Sequence, residues 1–77
     1  MSDDVDGPEF IAEHLAAARV FRKYGFSDKA WDEYVAVLER FPDNPEATQE
    51  LGSLDWKSDA SRLATLKKIT GRDWSDK

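Results

Sequence analysis

The sequence predicts an all-α domain of three to four short helices arranged as antiparallel hairpins, and three observations carry that prediction. Between Phe26 and Pro45 the apolar residues Ala30, Tyr34, Val37, Leu38 and Phe41 fall at i, i+4, i+7, i+8 and i+11, one continuous stripe on an α-helix. Helix punctuation recurs at Gly25, Pro42, Asn44-Pro45 and Gly71. No stretch alternates apolar and polar residues with the period of two that a half-buried strand requires.

Taken in order, residues 1–7 (MSDDVDG) hold too little apolar content to fold alone and predict a disordered acidic leader. A single helical domain is expected over 8–71. Helix one is expected over 8–24, with Ile11, Leu15, Ala18 and Phe21 as its stripe, widened by Phe10, Ala17, Val20 and Tyr24. Gly25 supplies the left-handed residue that ends it. So short a connection to helix two forces an antiparallel pair. Helix two is expected over 28–41, capped by Ser27 or Asp28 and stopped by Phe41-Pro42. Its second apolar edge, Trp31 and Val35, lies off the main stripe and needs a further partner. Asn44 caps helix three, expected over 45–54 with Pro45 at its first position and Ala47, Leu51 and Leu54 facing inward. Residues 55–57 predict a turn. Ser58 is expected to cap helix four, about 59–70, which presents Leu63, Leu66 and Ile69 and ends at Gly71. Residues 72–77 are expected to form a mostly disordered tail in which Trp74 can fold back.

At 77 residues the chain makes one small domain, and with 40% hydrophobic residues it holds enough for a core without staples. Cysteine is absent, which removes disulfides, thiolate ligands and thiol nucleophiles together. No apolar run approaches the roughly 18–20 residues of a membrane span, and no secretory-signal pattern precedes helix one. The expectation is a cytoplasmic protein without membrane contact. Charge is uneven: residues 1–50 hold 12 acidic and 5 basic side chains, residues 51–77 hold 4 and 6. A chain of net charge −5 is poorly suited to non-specific nucleic-acid binding, which draws its affinity from Lys and Arg on phosphate. Arg62, Lys67, Lys68 and Arg72 on helix four are the cations that such a role would use.

Catalysis has little to work with. His14 is the one histidine, at a helix-packing position where a hydrogen-bonded structural role is expected rather than a general base. Asp28, Asp32, Glu33 and Glu39 are expected on the outer face of helix two as solvated surface, without the glycine-bearing loop of a calcium site. No nucleophile-elbow, Walker or dinucleotide glycine pattern occurs. The expectation is a non-enzyme that takes no cofactor and no metal.

The first hairpin resembles a tetratricopeptide repeat, whose pattern is W-x2-L-G-x2-Y…A-x3-F…P over about 34 residues. With Pro42 as the closing proline, Ala18, Phe21, Ala30 and Tyr34 fit by type, while His14 and Ala17 depart from the pattern. Leu51-Gly52 and Ala64 follow Ala17-Ala18 and Ala30 at the repeat distance; Asp55, Lys68 and Gly71 then break the second copy. The resemblance covers about residues 10–54. It implies a peptide-holding groove on the inward face of each first helix, which position matching puts on Ala12, Leu15, Arg19, Arg22 and Lys23, with Gln49 and Ser53. The family's carboxylate-gripping set is not reproduced, since Leu15 and Arg19 occupy two of its places.

Those residues set the expected function: a non-enzymatic adaptor binding a peptide or helix of another protein. Arg19, Arg22 and Lys23 form a basic ridge at i, i+3 and i+4, unless Glu13, Glu46 or Glu50 pairs with it inside the chain. Trp31 is expected to be buried under helix four, and Trp56 and Trp74 to be partly exposed as anchors. A self-assembling unit, in which another copy completes the unfinished repeat, is the alternative expectation, and homo-oligomer formation belongs to it.

Overall fold

A computed structural model describes residues 3–56 and 58–74, with side chains from residue 7 onward. It is all-α: helices α1 (Asp3–Lys23), α2 (Ser27–Arg40), α3 (Pro45–Gly52) and α4 (Ala60–Thr70) follow one another, with no strand among the described residues. Local chemistry sets each boundary. Gly25 has φ +83°. Around it the Phe26 amide donates to the Phe21 carbonyl at 2.8 Å and the Gly25 amide to the Arg22 carbonyl at 3.2 Å, a Schellman pair. The Phe21 and Phe26 rings meet edge-on at 6.4 Å, the apolar contact that accompanies such a stop. Asn44 caps α3, its side-chain oxygen accepting from the Ala47 amide at 2.7 Å, with Pro45 at the first position. Gly71 at φ +73° closes α4.

Helix α2 packs against α1, α3 and α4. Ala30, Tyr34, Val37 and Leu38 are fully buried, as are Ala18 of α1, Ala47 and Leu51 of α3 and Leu66 of α4. Small residues at Ala18 and Ala30 leave room for neighbouring helices to come close. The second edge of α2 is covered by aromatic packing: Trp31 lies 5.0 Å from Trp56, which lies 5.9 Å from Trp74. Each inner indole finds an acceptor. Trp56 Nε1 donates to the Leu51 carbonyl at 2.6 Å, and Trp74 Nε1 to Thr70 Oγ1 at 2.9 Å. Arg62 of α4 stacks over Trp31 at 4.9 Å and reaches Asp28 at 2.9 Å, tying α4 to the start of α2.

Several expectations are corrected. Helix α1 starts at Asp3 rather than Pro8, so residues 3–7 are helical and Pro8 lies inside the helix. Gly7 is buried beside Phe41, where an added Cβ would sit 3.4 Å from the ring, so this first part of the helix has a packing partner. Helix α2 starts at Ser27, with Phe26 in the cap position and no side-chain cap bond. Asp59 rather than Ser58 caps α4, accepting from the Ser61 and Arg62 amides at 3.0 and 3.3 Å. Helix α3 stops at Gly52, where tight bonds from Ser53 to Glu50 and from Leu54 to Leu51 turn the chain and bring Leu54 and Trp56 inside. Trp56 and Trp74 are 2% and 8% exposed, so neither is a partly exposed anchor. Part of the expected leader (residues 1–2), Lys57 of the turn and residues 75–77 of the tail lie outside the described residues.

Trp56 touches both flanking tryptophans, so its loss opens the core in two directions. Trp56→Ala is expected to lower the unfolding free energy by about 3–5 kcal/mol in urea titrations followed by circular dichroism. A loss under about 1 kcal/mol would show that the aromatic row is peripheral.

Candidate protein-interaction surface

The cations expected on one ridge of α1 meet three different environments. Arg19 is bound within the chain: its Nε donates to both Glu50 oxygens at 3.0 Å, and its Nη2 also pairs with Oε2. Glu50 belongs to α3, so this fork joins the first and third helices. Tyr34 completes the cluster from α2. Its ring is fully buried, and its hydroxyl donates to Glu50 Oε1 at 2.7 Å. Arg22 donates to the Tyr34 hydroxyl at 3.4 Å, has no carboxylate within ion-pair distance among the described residues, and is exposed. Lys23 is exposed, its ammonium 6.0 Å from the Tyr24 ring.

The electrostatics follow from these contacts. Arg19's hydrogen bonds hold the Glu50 carboxyl below its ordinary 4.5, against the opposing effect of burial. Glu50 in turn raises Arg19. Burial pushes the Tyr34 hydroxyl above its ordinary 10.0, so it stays protonated and donating at neutral pH. On either side of this clamp the surface is open. Gln49 and Ser53 of the α3 segment are exposed, with the Ser53 hydroxyl donating to the Glu50 carbonyl at 2.8 Å.

Of the residues expected to bind a partner, Arg22, Lys23, Gln49 and Ser53 are therefore exposed. Arg19 is exposed but engaged. Leu15 is corrected: at 3% exposure it belongs to the core, because its place on the helix turns it toward the buried side with Ala18. Trp56 and Trp74 are excluded from the surface for the same reason. Exposed apolar area lies instead at Val20, Tyr24 and Phe26, at the end of α1 and the turn beyond it.

Other charged residues are also drawn into the fold. His14 Nδ1 is hydrogen-bonded to Glu33 and its ring lies 4.3 Å from Phe10, a structural histidine between α1 and α2. Asp28, Asp32 and Glu39 are exposed on α2 as expected, Asp28 while pairing with Arg62, whereas Glu33 is half-buried against His14. On α4, Arg62 covers Trp31, and just beyond it Arg72 lies 5.4 Å from Trp74; Lys67 and Lys68 are exposed. No group of three or more metal-ligating side chains converges among the described residues, and no described helix is long and apolar enough to cross a membrane. Sequence reading missed the role of Tyr34. The signal was a hydroxyl-bearing aromatic in an otherwise aliphatic stripe, which needs a buried acceptor.

Because Glu50 is depressed in the folded state, the stability it contributes is present above its unfolded value and lost as pH falls through the folded one. Glu50→Gln should therefore cost most at pH 7, and the difference from the parent should shrink on acidification below 4.5. Urea titrations across that range measure it, and a difference that stays constant would contradict the ionic clamp. Compared with known proteins, the chain matches no protein-family model, no curated protein and no solved structure.

Proposed function

We propose that this chain is a non-enzymatic protein-interaction module, a small cytoplasmic adaptor that holds a peptide or helix of a partner protein on a tetratricopeptide-like surface of α1 and α3. The observation that carries the reading is the open polar strip of Arg22, Lys23, Gln49 and Ser53 beside a fixed clamp. Arg19, Glu50 and Tyr34 lock the spacing of three helices, so the neighbouring cations are presented from a rigid base. A preorganised surface loses little side-chain and backbone freedom on binding. The partner chemistry that fits is a carboxylate-bearing segment, since Arg22 and Lys23 stand without ion-pair partners among the described residues and Arg22 offers a planar guanidinium fork. Completion of an unfinished repeat by another copy has less support, because α4, Trp56 and Trp74 cover the second edge of α2 within one chain.

The test is an array of acidic peptides and their charge-reversed counterparts. The parent should select acidic members. Arg22→Glu combined with Gln49→Glu should weaken that binding at least tenfold with helicity unchanged by circular dichroism. Arg19 is left intact because its loss would break the Glu50 clamp. Equal binding by parent and variant, or no preference for acidic peptides, would overturn the reading.

A further inference from the structure

We propose that copies of this chain stack head to tail, the solvent face of α1 in one copy lying antiparallel against the solvent face of α4 in the next. Helices α1 and α4 each pack on α2 and make no extensive contact with one another, so each keeps an outer side that its own chain leaves open. The two outer sides are opposite in charge. That of α1 carries Glu9 and Glu13, both exposed and without ion-pair partners among the described residues; Arg40 stacks on Phe10 at 4.6 Å nearby and pairs with neither. That of α4 carries Lys67 and Lys68, equally exposed and without ion-pair partners among the described residues, on a helix with no acidic residue. Beside those charges both faces are small: Ala16 on α1 and Ala64 on α4 are exposed.

Helical geometry fixes the register. At about 100° per residue, Glu9, Glu13, Ala16 and Val20 fall within about 60° of one another on α1, and Ser61, Ala64 and Lys68 within about 60° on α4. Antiparallel helices bring together residues offset to the same side of the seam. With Ala16 set against Ala64, Lys68 comes down between Glu9 and Glu13, and Val20, 52% exposed in the single chain, is covered beside Ser61. The two alanines let the helices approach closely. A parallel arrangement would set the glutamates beside Asp59 and Lys23 beside Lys68, so the charges select the antiparallel one. Because the two faces are different surfaces, each copy takes one neighbour on either side and the contact repeats. The inference goes beyond the partner surface proposed above. In this register Lys23 falls past the start of α4, and Arg22 lies about 160° around α1 from Val20, so both stay open. Nor is any copy completed by its neighbour, since the tryptophan row is closed within each chain.

Sedimentation equilibrium at about 0.15 M salt, where long-range repulsion between the acidic chains is screened beyond about 8 Å, reads the association. One helix pair per contact is a small interface, so the parent should associate with a dissociation constant between about 10 µM and 1 mM, its mean mass rising past that of a dimer. Ala16→Arg and Ala64→Arg each block one face, and each variant alone should stay monomeric. Mixed in equal amounts they should form a one-to-one complex and go no further, because the first keeps its α4 face and the second its α1 face. A two-fold contact cannot behave in that way. Glu13→Lys and Lys68→Glu singly should each weaken association at least tenfold, and the two combined in one chain should restore it. All four positions are exposed, so circular dichroism should show parental helicity throughout. A parent that stays monomeric to about 1 mM, an arginine variant that associates alone, a mixture of the two that does not, or a charge-swapped chain no better than the single variants would each overturn the stacking.

Discussion

Helix α2 has two apolar edges, and one antiparallel neighbour can cover only one of them. That constraint organises the molecule. The stripe through Ala30, Tyr34, Val37 and Leu38 is fully buried, while Trp31 one position on from Ala30 turns its indole away from the stripe. An indole left in water on that side would forgo much of the apolar burial available to so small a chain. The remaining 37 residues after Arg40 answer this: Trp56 from the turn after α3 and Trp74 from beyond α4 are laid in a row against Trp31. Helix α3 stops at Gly52, and the turn that follows lets the Trp56 indole reach both Trp31 and the Leu51 carbonyl.

The polar clamp does at the other end of the molecule what the tryptophans do at this one. Tyr34 is the single residue of the α2 stripe with a polar atom, and its hydroxyl requires an acceptor once the ring is buried. Glu50 supplies it at 2.7 Å, and Arg19 balances the charge this brings in. No buried side-chain polar atom among the described residues is left without a partner. The consequence for binding is a selection among cations. Arg19 and Arg62 are held by carboxylates, and Arg62 and Arg72 lie over indoles, so the cations of α1 that remain open to a visitor are Arg22 and Lys23.

Local signals in the sequence were legible where the backbone itself carries them. Gly25, Asn44-Pro45 and Gly71 end or start helices because of positive φ, a side-chain acceptor or a missing amide, none of which depends on distant residues. The fold class and the burial of Trp31 followed from periodicity. What sequence could not fix depends on tertiary partners. The choice of Asp59 over Ser58 as cap turns on a shift of one residue in a turn that must also place Trp56. The start of α1 at Asp3 accompanies the packing of Phe41 beside Gly7, 34 positions further along. Leu15 was legible as core from its stripe, and assigning it to a binding groove overrode that signal. Trp56 and Trp74 are outside any helix, so periodicity gave them no face at all.

Where open surface remains follows from how the helices are distributed. Helix α2 is surrounded by α1, α3 and α4, whereas the extensive helix contact of α1 is with α2 alone. A 21-residue helix with one close neighbour keeps a broad face in solvent. A helix in that position would be expected to carry charge across its outer side, and α1 does so only at intervals, with Ala12, Ala16 and Val20 set among Glu9, Glu13, Arg19 and Lys23. The chain thus places all three tryptophans inside yet leaves Val20, Tyr24 and Phe26 outside. Phe26 still meets Phe21 at the stop of α1, while Val20 and Tyr24 stand outside a core whose two edges are already closed. Their exposure follows from the place of α1 at the outside of the bundle, where its extensive helix contact is with α2 alone.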